Sequence, residues 1–141
     1  MQEYIDFAGN NPLPILGFVA VLLFIIKLEI SRFTRKYKQV NVNEAVMLLN
    51  KDNAVVVDVR EDKELTSGII KGARHITLAQ LPQKIGELSK NKQSPVLVYC
   101  RSGSRSGNAC NQLIKAGFED VSNLAGGIMA WESANLPLAK R

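Results

Sequence analysis

The chain has 141 residues, 46% of them hydrophobic, and carries 18 Lys and Arg against 13 Asp and Glu for a formal charge of +5. That length suits one domain plus an appendage. Residues 40–141 hold 13 basic and 10 acidic side chains, with no Lys/Arg stripe interleaved with aromatics, which argues against a nucleic-acid partner.

The N-terminal segment is the appendage. From Phe7 to Ile26 no residue is charged, and from Leu13 to Ile26 every residue is apolar, Gly or Pro. Asn11 can cap a helix that starts with Pro12, where a missing N–H costs nothing. A helix over residues 12–30 would be about 28 Å long, matching a hydrocarbon core of about 30 Å. A core helix of so small a domain would show a polar face, and this one shows none. A cleaved signal peptide is disfavoured too, because only Glu3 and Asp6 precede the apolar run and no A-x-A-like site follows it. Residues 12–30 therefore read as a membrane anchor, after a short extracytoplasmic segment over residues 1–11. Lys27, Arg32, Arg35, Lys36 and Lys38 flank the C-terminal side alone. The positive-inside rule then puts the remaining domain in the cytoplasm. Residues 31–39 read as a basic linker attracted to anionic lipid, and residues 40–141 as the main domain. In that compartment Cys100 and Cys110 are thiols rather than a disulfide.

In the domain, Ala45, Leu48 and Leu49 have helical spacing, with Asn43 as a candidate cap. "AVVVDV" (54–59) reads as a strand buried on both faces. "EDKELTSG" is a short helix or turn ending at Gly68. A brief strand is expected over Ile76–Leu78, then a helix over "LPQKIGELS" (81–89) and a second buried strand, "PVLVYC" (95–100). "RSGNACNQLIKA" (105–116) is helical, with Gly117 in position for a left-handed cap. "DVSNL" is the last strand and "GGIMAWESANLP" holds the last helix. Strands alternating with helices, without hairpin signals, predict an α/β fold with a parallel central sheet covered by helices on both faces.

Cys100 ends a strand, where sites in such sheets form. Residues 101–104 are small or hydroxylated apart from Arg101, so their amides can turn inward beside the N-terminus of the next helix, making an anion cradle. Lowering a thiol from about 8.5 to about 6.5 needs roughly 2.7 kcal/mol. A helix N-terminus supplies up to ~2 kcal/mol and each hydrogen bond to a charged group about 1.5–3 kcal/mol. Amides and helix suffice, which leaves Arg101 and Arg105 to act on a second anion, the substrate.

Three stretches carry a family resemblance. "DVREDKELTSGIIKGARHI", "YCRSGSRS" and "LAGGIMAW" resemble the first signature, the active-site loop and the C-terminal signature of the rhodanese-like domain, a single-domain sulfurtransferase. The chain as a whole is similar to bacterial inner-membrane rhodanese-like proteins. The resemblance implies that Cys100 takes a sulfane sulfur from a small anionic donor such as thiosulfate as a persulfide, and passes it to a thiol or cyanide acceptor. It implies no cofactor. Backbone from Arg101 through Ser102, Gly103 and Ser104 to Arg105 would cradle the persulfide, and Asp58 and Arg60 would support the loop or meet the donor. Where the first signature usually reads Gly-His-Ile, this chain has Gly68-Ile69-Ile70, which touches the stability of the turn rather than the chemistry.

Two rivals share these residues. A cysteine phosphatase needs Cys-x5-Arg, whereas Cys100 to Arg105 is Cys-x4-Arg, and no general acid stands out for a leaving alkoxide. A membrane-tethered binding or regulatory module, with a membrane-protein partner recruited by the anchor, is the other. Cys110 reads as a small buried hydrophobe. With one His and no clustered Cys, a metal site is not expected, and His75 reads as a satisfied structural residue. Trp131 and Met129 are expected to pack the last helix against the core. In "REDKE", a solvated turn, Glu64 would hold the first signature's loop and Arg60 would face the site.

Overall fold

A computed structural model describes Met1, residues 12–33 and residues 35–140. The expected Asn11 cap and residues 2–10 lie outside the described residues. The chain divides into two compact units, Met1–Arg35 and Lys36–Arg141.

Among the described residues of the first unit is the helix α1 (Pro12–Phe33). Its stretch Pro12–Ile30 is long and apolar enough to cross a membrane, and Leu13, Phe18, Leu23, Phe24 and Ile30 are all exposed.

In the second unit the strands are β1 (Lys38–Val40), β2 (Val55–Asp58), β3 (Arg74–His75), β4 (Val96–Tyr99) and β5 (Val121–Leu124). They form one sheet in the order β1-β5-β4-β2-β3, and every pairing is parallel. The helices are α2 (Val42–Leu49), α3 (Leu81–Lys84), α4 (Ser104–Lys115) and α5 (Gly127–Ser133), with 3₁₀ turns over Asp62–Ser67 and Ile85–Asn91.

Strand periodicity sorts the core into two layers. Val55, Val57 and Val59 of the β2 segment and Val96, Val98 and Cys100 of the β4 segment face one side, where Leu81, Leu88, Ala109, Cys110 and Leu113 pack. Val56, Leu97 and Tyr99 face the other, against Ala45, Leu48, Ile128 and Trp131. Helices thus cover both faces, as the strand–helix alternation predicts. The same alternation carries Cys100, one residue past β4, onto the α4 side.

Several boundaries differ from the sequence reading. The residues read as linker contain the first two residues of β1, which pairs with β5 from Lys38↔Ser122 to Val40↔Leu124. The cap of helix α2 is Asn41, two residues before the expected Asn43. Asn41 Oδ1 accepts from the Glu44 amide at 3.0 Å and Glu44 Oε2 accepts from the Asn41 amide at 2.7 Å, a reciprocal capping box that Asn43 could not make. The strand expected over Ile76–Leu78 falls instead on Arg74–His75, because the chain turns into α3. The helix expected over 81–89 is α-helical for four residues and then tightens to 3₁₀ around Gly86, a weak helix former. Trp131 packs as expected, 6% exposed, but Met129 is 49% exposed and lies at the rim described below.

Candidate functional site

Cys100 leaves β4 and enters a loop whose backbone is pulled from behind. Helix α5 donates its Ile128 amide to the Cys100 carbonyl at 2.9 Å and its Met129 amide to the Arg101 carbonyl at 3.2 Å. The approach is close enough that a Cβ on Gly127 would lie 2.5 Å from the Cys100 and Arg101 carbonyl oxygens, and Gly127 also has φ +58°, a region open to glycine. Gly103, at φ +100°, turns the chain into α4, and its carbonyl accepts from Asn123 Nδ2 at 2.9 Å. With these carbonyls engaged outward, amides remain for the inside of the loop.

The inside holds the sulfur. The Gly103 N–H donates to Cys100 Sγ at 3.1 Å and the Ser106 hydroxyl donates to it at 3.3 Å. Burial pushes the thiol up, but the Ser106 hydroxyl and the amides of Ser106, Gly103 and Ser102 outweigh it, and the net direction is below the ordinary thiol value. Each bond to a charged sulfur stabilises it by about 1.5–3 kcal/mol. Arg105 adds a charge interaction with Cys100. Ser106, fully buried in the first turn of α4, is the residue that sequence reasoning missed. Its one visible signal is a small hydroxyl within reach of the loop, six residues after the cysteine.

Asp58 lies in the interior, and Arg60 lies between it and the cleft described below. Arg60 is 1% exposed and Asp58 is fully buried, joined through Nη2–Oδ2 at 2.7 Å. Arg60 Nε also donates to Asp58, while Nη1 donates to the Glu64 carbonyl at 3.0 Å and Nη2 to the Gly68 carbonyl at 2.8 Å. The guanidinium lies over the Tyr99 ring at 5.6 Å. Arg60 is thus a bolt between the sheet and the 62–68 turn. Loop support is the role these bonds perform; they use four of the five guanidinium N–H groups and leave one on Nη1.

Arg105 likewise has a partner that the sequence reading did not assign to it. Its Nη1 and Nη2 donate to the two Glu64 carboxylate oxygens, each at 2.7 Å. The Arg105 hydrogen bonds hold the Glu64 carboxyl far below its usual value, at about 2. Glu64 Oε2 also accepts from the Glu61 amide at 2.9 Å. Arg101 is exposed, and its side chain forms no hydrogen bond or ion pair among the described residues. It borders a cleft of about 410 Å³ together with Arg60, Lys63, Glu64, Thr66, Met129 and Glu132. Ser102 and Ser104 are exposed on the loop.

Cys110 is fully buried; burial, then the nearby Cys100 charge, push its thiol up. His75 Nε2 lies 2.7 Å from the Arg60 carbonyl and Nδ1 lies 3.6 Å from Asp62 Oδ1, the satisfied role expected of it. No cluster of His, Cys, Asp and Glu able to hold a metal occurs among the described residues. The Gly68-Ile69-Ile70 turn is held by the Arg60 contact, by mutual Ile69–Ala139 backbone bonds and by the Ile70 amide donating to Tyr99 Oη at 3.1 Å.

The rhodanese-like domain profile matches residues 41–134. The chain belongs to the rhodanese-like family. It is 35% identical over 141 residues to "Uncharacterized protein YibN" of Escherichia coli strain K12, covering 99% of each chain. It is 33% identical over 99 residues to thiosulfate sulfurtransferase GlpE of Shewanella oneidensis, covering 70% of this chain and 96% of that protein. Among solved structures, the rhodanese-related protein of Thermoplasma volcanium superposes with a TM-score of 0.66 at 28% identity, covering 74% of this chain and all of that one. These matches extend the rhodanese-like assignment across the second unit and attach it to a family that includes sulfurtransferases.

Proposed function

We propose that this rhodanese-like protein is a membrane-anchored sulfurtransferase that works through a persulfide on Cys100. The Cys100 thiolate attacks the terminal sulfur of an anionic donor. The donor's S–S bond breaks and the leaving group departs with the electron pair, as sulfite when the donor is thiosulfate. The outer sulfur stays on Cys100 as a persulfide anion inside the loop. A thiol or cyanide acceptor then attacks that outer sulfur, forms its own bond to it and returns the Cys100 thiolate. Amides of residues 102–106 and the Ser106 hydroxyl hold negative charge in both states, and Arg101 meets the donor at the mouth.

The observation that carries this reading is the pair of donors, Gly103 N–H and Ser106 O–H, aimed at Cys100 Sγ in a ring of Cys-x4-Arg. The full-length chain in detergent, incubated with thiosulfate and weighed intact, is expected to gain one sulfur, and Cys100→Ala to gain none. No gain with any of several donors would transfer the site to a binding or regulatory role.

Residues 12–30 serve as the membrane span, with residues 1–11 outside and the rhodanese-like domain at the cytoplasmic face. The apolar length of α1 and the basic flank after it support this orientation. Release of the full-length protein from membranes by alkaline carbonate would overturn it.

A further inference from the structure

Glu64 contributes more than a structural contact. Its carboxylate accepts three hydrogen bonds, two from Arg105 and one from the Glu61 amide. Its own backbone is fastened, since its carbonyl takes Arg60 Nη1 and Arg60 is paired with the fully buried Asp58. A carboxylate on so rigid a base holds the Arg105 guanidinium through both terminal nitrogens, and a bidentate pair of this kind is fixed in direction as well as in charge.

The charges around the mouth can then be counted. Arg60 is balanced by Asp58 and Arg105 by Glu64. Lys63, Arg101 and Glu132 remain along the cleft, an excess of a single positive charge. From these pairings we propose that Glu64 is a specificity-setting positioning residue, withdrawing Arg105 from the donor so that the site selects sulfur donors through one negative charge rather than two.

This inference rests on the sulfurtransferase reading, and two donors with the same reacting sulfur separate it from that reading. Thiosulfate carries two negative charges and the methanethiosulfonate anion carries one. In each the Cys100 thiolate attacks the terminal sulfur, the bond to the sulfonyl sulfur breaks, and sulfite or methanesulfinate leaves with the electron pair. Steady-state transfer by the full-length chain in detergent gives KM and kcat for both.

In Glu64→Gln, Arg105 is released to the mouth. The expected result is a fall of about fivefold in the thiosulfate KM relative to that of methanethiosulfonate, with kcat little changed. The double variant Glu64→Gln/Arg105→Gln removes the pair without leaving a lone charge and keeps the parent's KM ratio. An unchanged ratio in the single variant overturns the proposal. So does a thiosulfate-specific rise of KM in the double variant, since Arg105 would then contact the donor in the parent; this second arm decides the matter if the single variant misfolds. A parent that takes sulfur from neither donor fails as a sulfurtransferase, and Glu64's role falls with that activity; sulfur uptake with an unresponsive ratio removes Glu64's role alone.

Discussion

Replacing Ser106 by Ala removes one of the two groups seen to donate to Cys100 Sγ and little else. The side chain is fully buried in the first turn of α4, Ala suits a helix, and the loss of one oxygen leaves a small void. A hydrogen bond to a charged group is worth about 1.5–3 kcal/mol, and each pH unit of displacement corresponds to about 1.36 kcal/mol. The Cys100 titration should therefore move up by about one to two units. The rate of alkylation by iodoacetamide, followed against pH on the full-length chain, reads this directly. Cys110 stays silent, because it is fully buried and its thiol is pushed up. Below the new midpoint sulfur transfer should fall by less than the loss of thiolate, because a more basic thiolate is the stronger nucleophile, with a Brønsted slope of about 0.4–0.5. A midpoint that stays in place or moves down, in a variant with unchanged circular dichroism, would refute the assignment of Ser106 as a stabiliser of the anion.

Other perturbations probe the supports. Gly127→Ala sets a Cβ 2.5 Å from backbone atoms of Cys100 and Arg101 at φ +58°, so it should cost about 3 kcal/mol or more in urea denaturation and abolish transfer by displacing the loop. Arg60→Ala strands the buried Asp58 carboxylate and two carbonyls, for an expected loss of about 3–5 kcal/mol. Arg60→Lys should rescue it poorly, since one ammonium cannot reproduce the fork that serves Asp58, Glu64 and Gly68 together. Glu64 is held at about 2 instead of 4.5, so its ion pair contributes stability that is complete above about pH 4.5 and is lost as pH falls toward 2. At a side chain 18% exposed this is about 1–2 kcal/mol after screening. The difference in urea midpoint between parent and Glu64→Gln should shrink across that acid window.

The legible parts of the fold were those with a period. Alternation in β2 and β4 assigns their residues to opposite faces, and the β-branched run at Val55–Val57 needs no tertiary information. Strand β1 has no such signal, because a three-residue edge strand whose Lys38 and Gln39 are exposed takes its place from distant partners, the backbone of β5, Asp120 and Asn123. In the site, the cysteine, its loop and the following helix could be read from small residues after a buried strand. Ser106 could not, since its aim at the sulfur depends on the phase of α4. The Arg105–Glu64 pair joins residues 41 positions apart, and nothing local to either marks the other as its partner. For the same reason the sequence displays the charge of Arg60 but not the carbonyls of Glu64 and Gly68 to which it donates.

The tie between α5 and the loop also sets an order of events during synthesis. Ribosomes deliver Cys100 well before Ile128 and Met129, whose amides take up the Cys100 and Arg101 carbonyls. Until those later residues emerge, nothing obliges the loop to turn its N–H groups toward the sulfur, and the nascent polypeptide carries an ordinary thiol. Chemical potency at Cys100 thus waits on the emergence of α5.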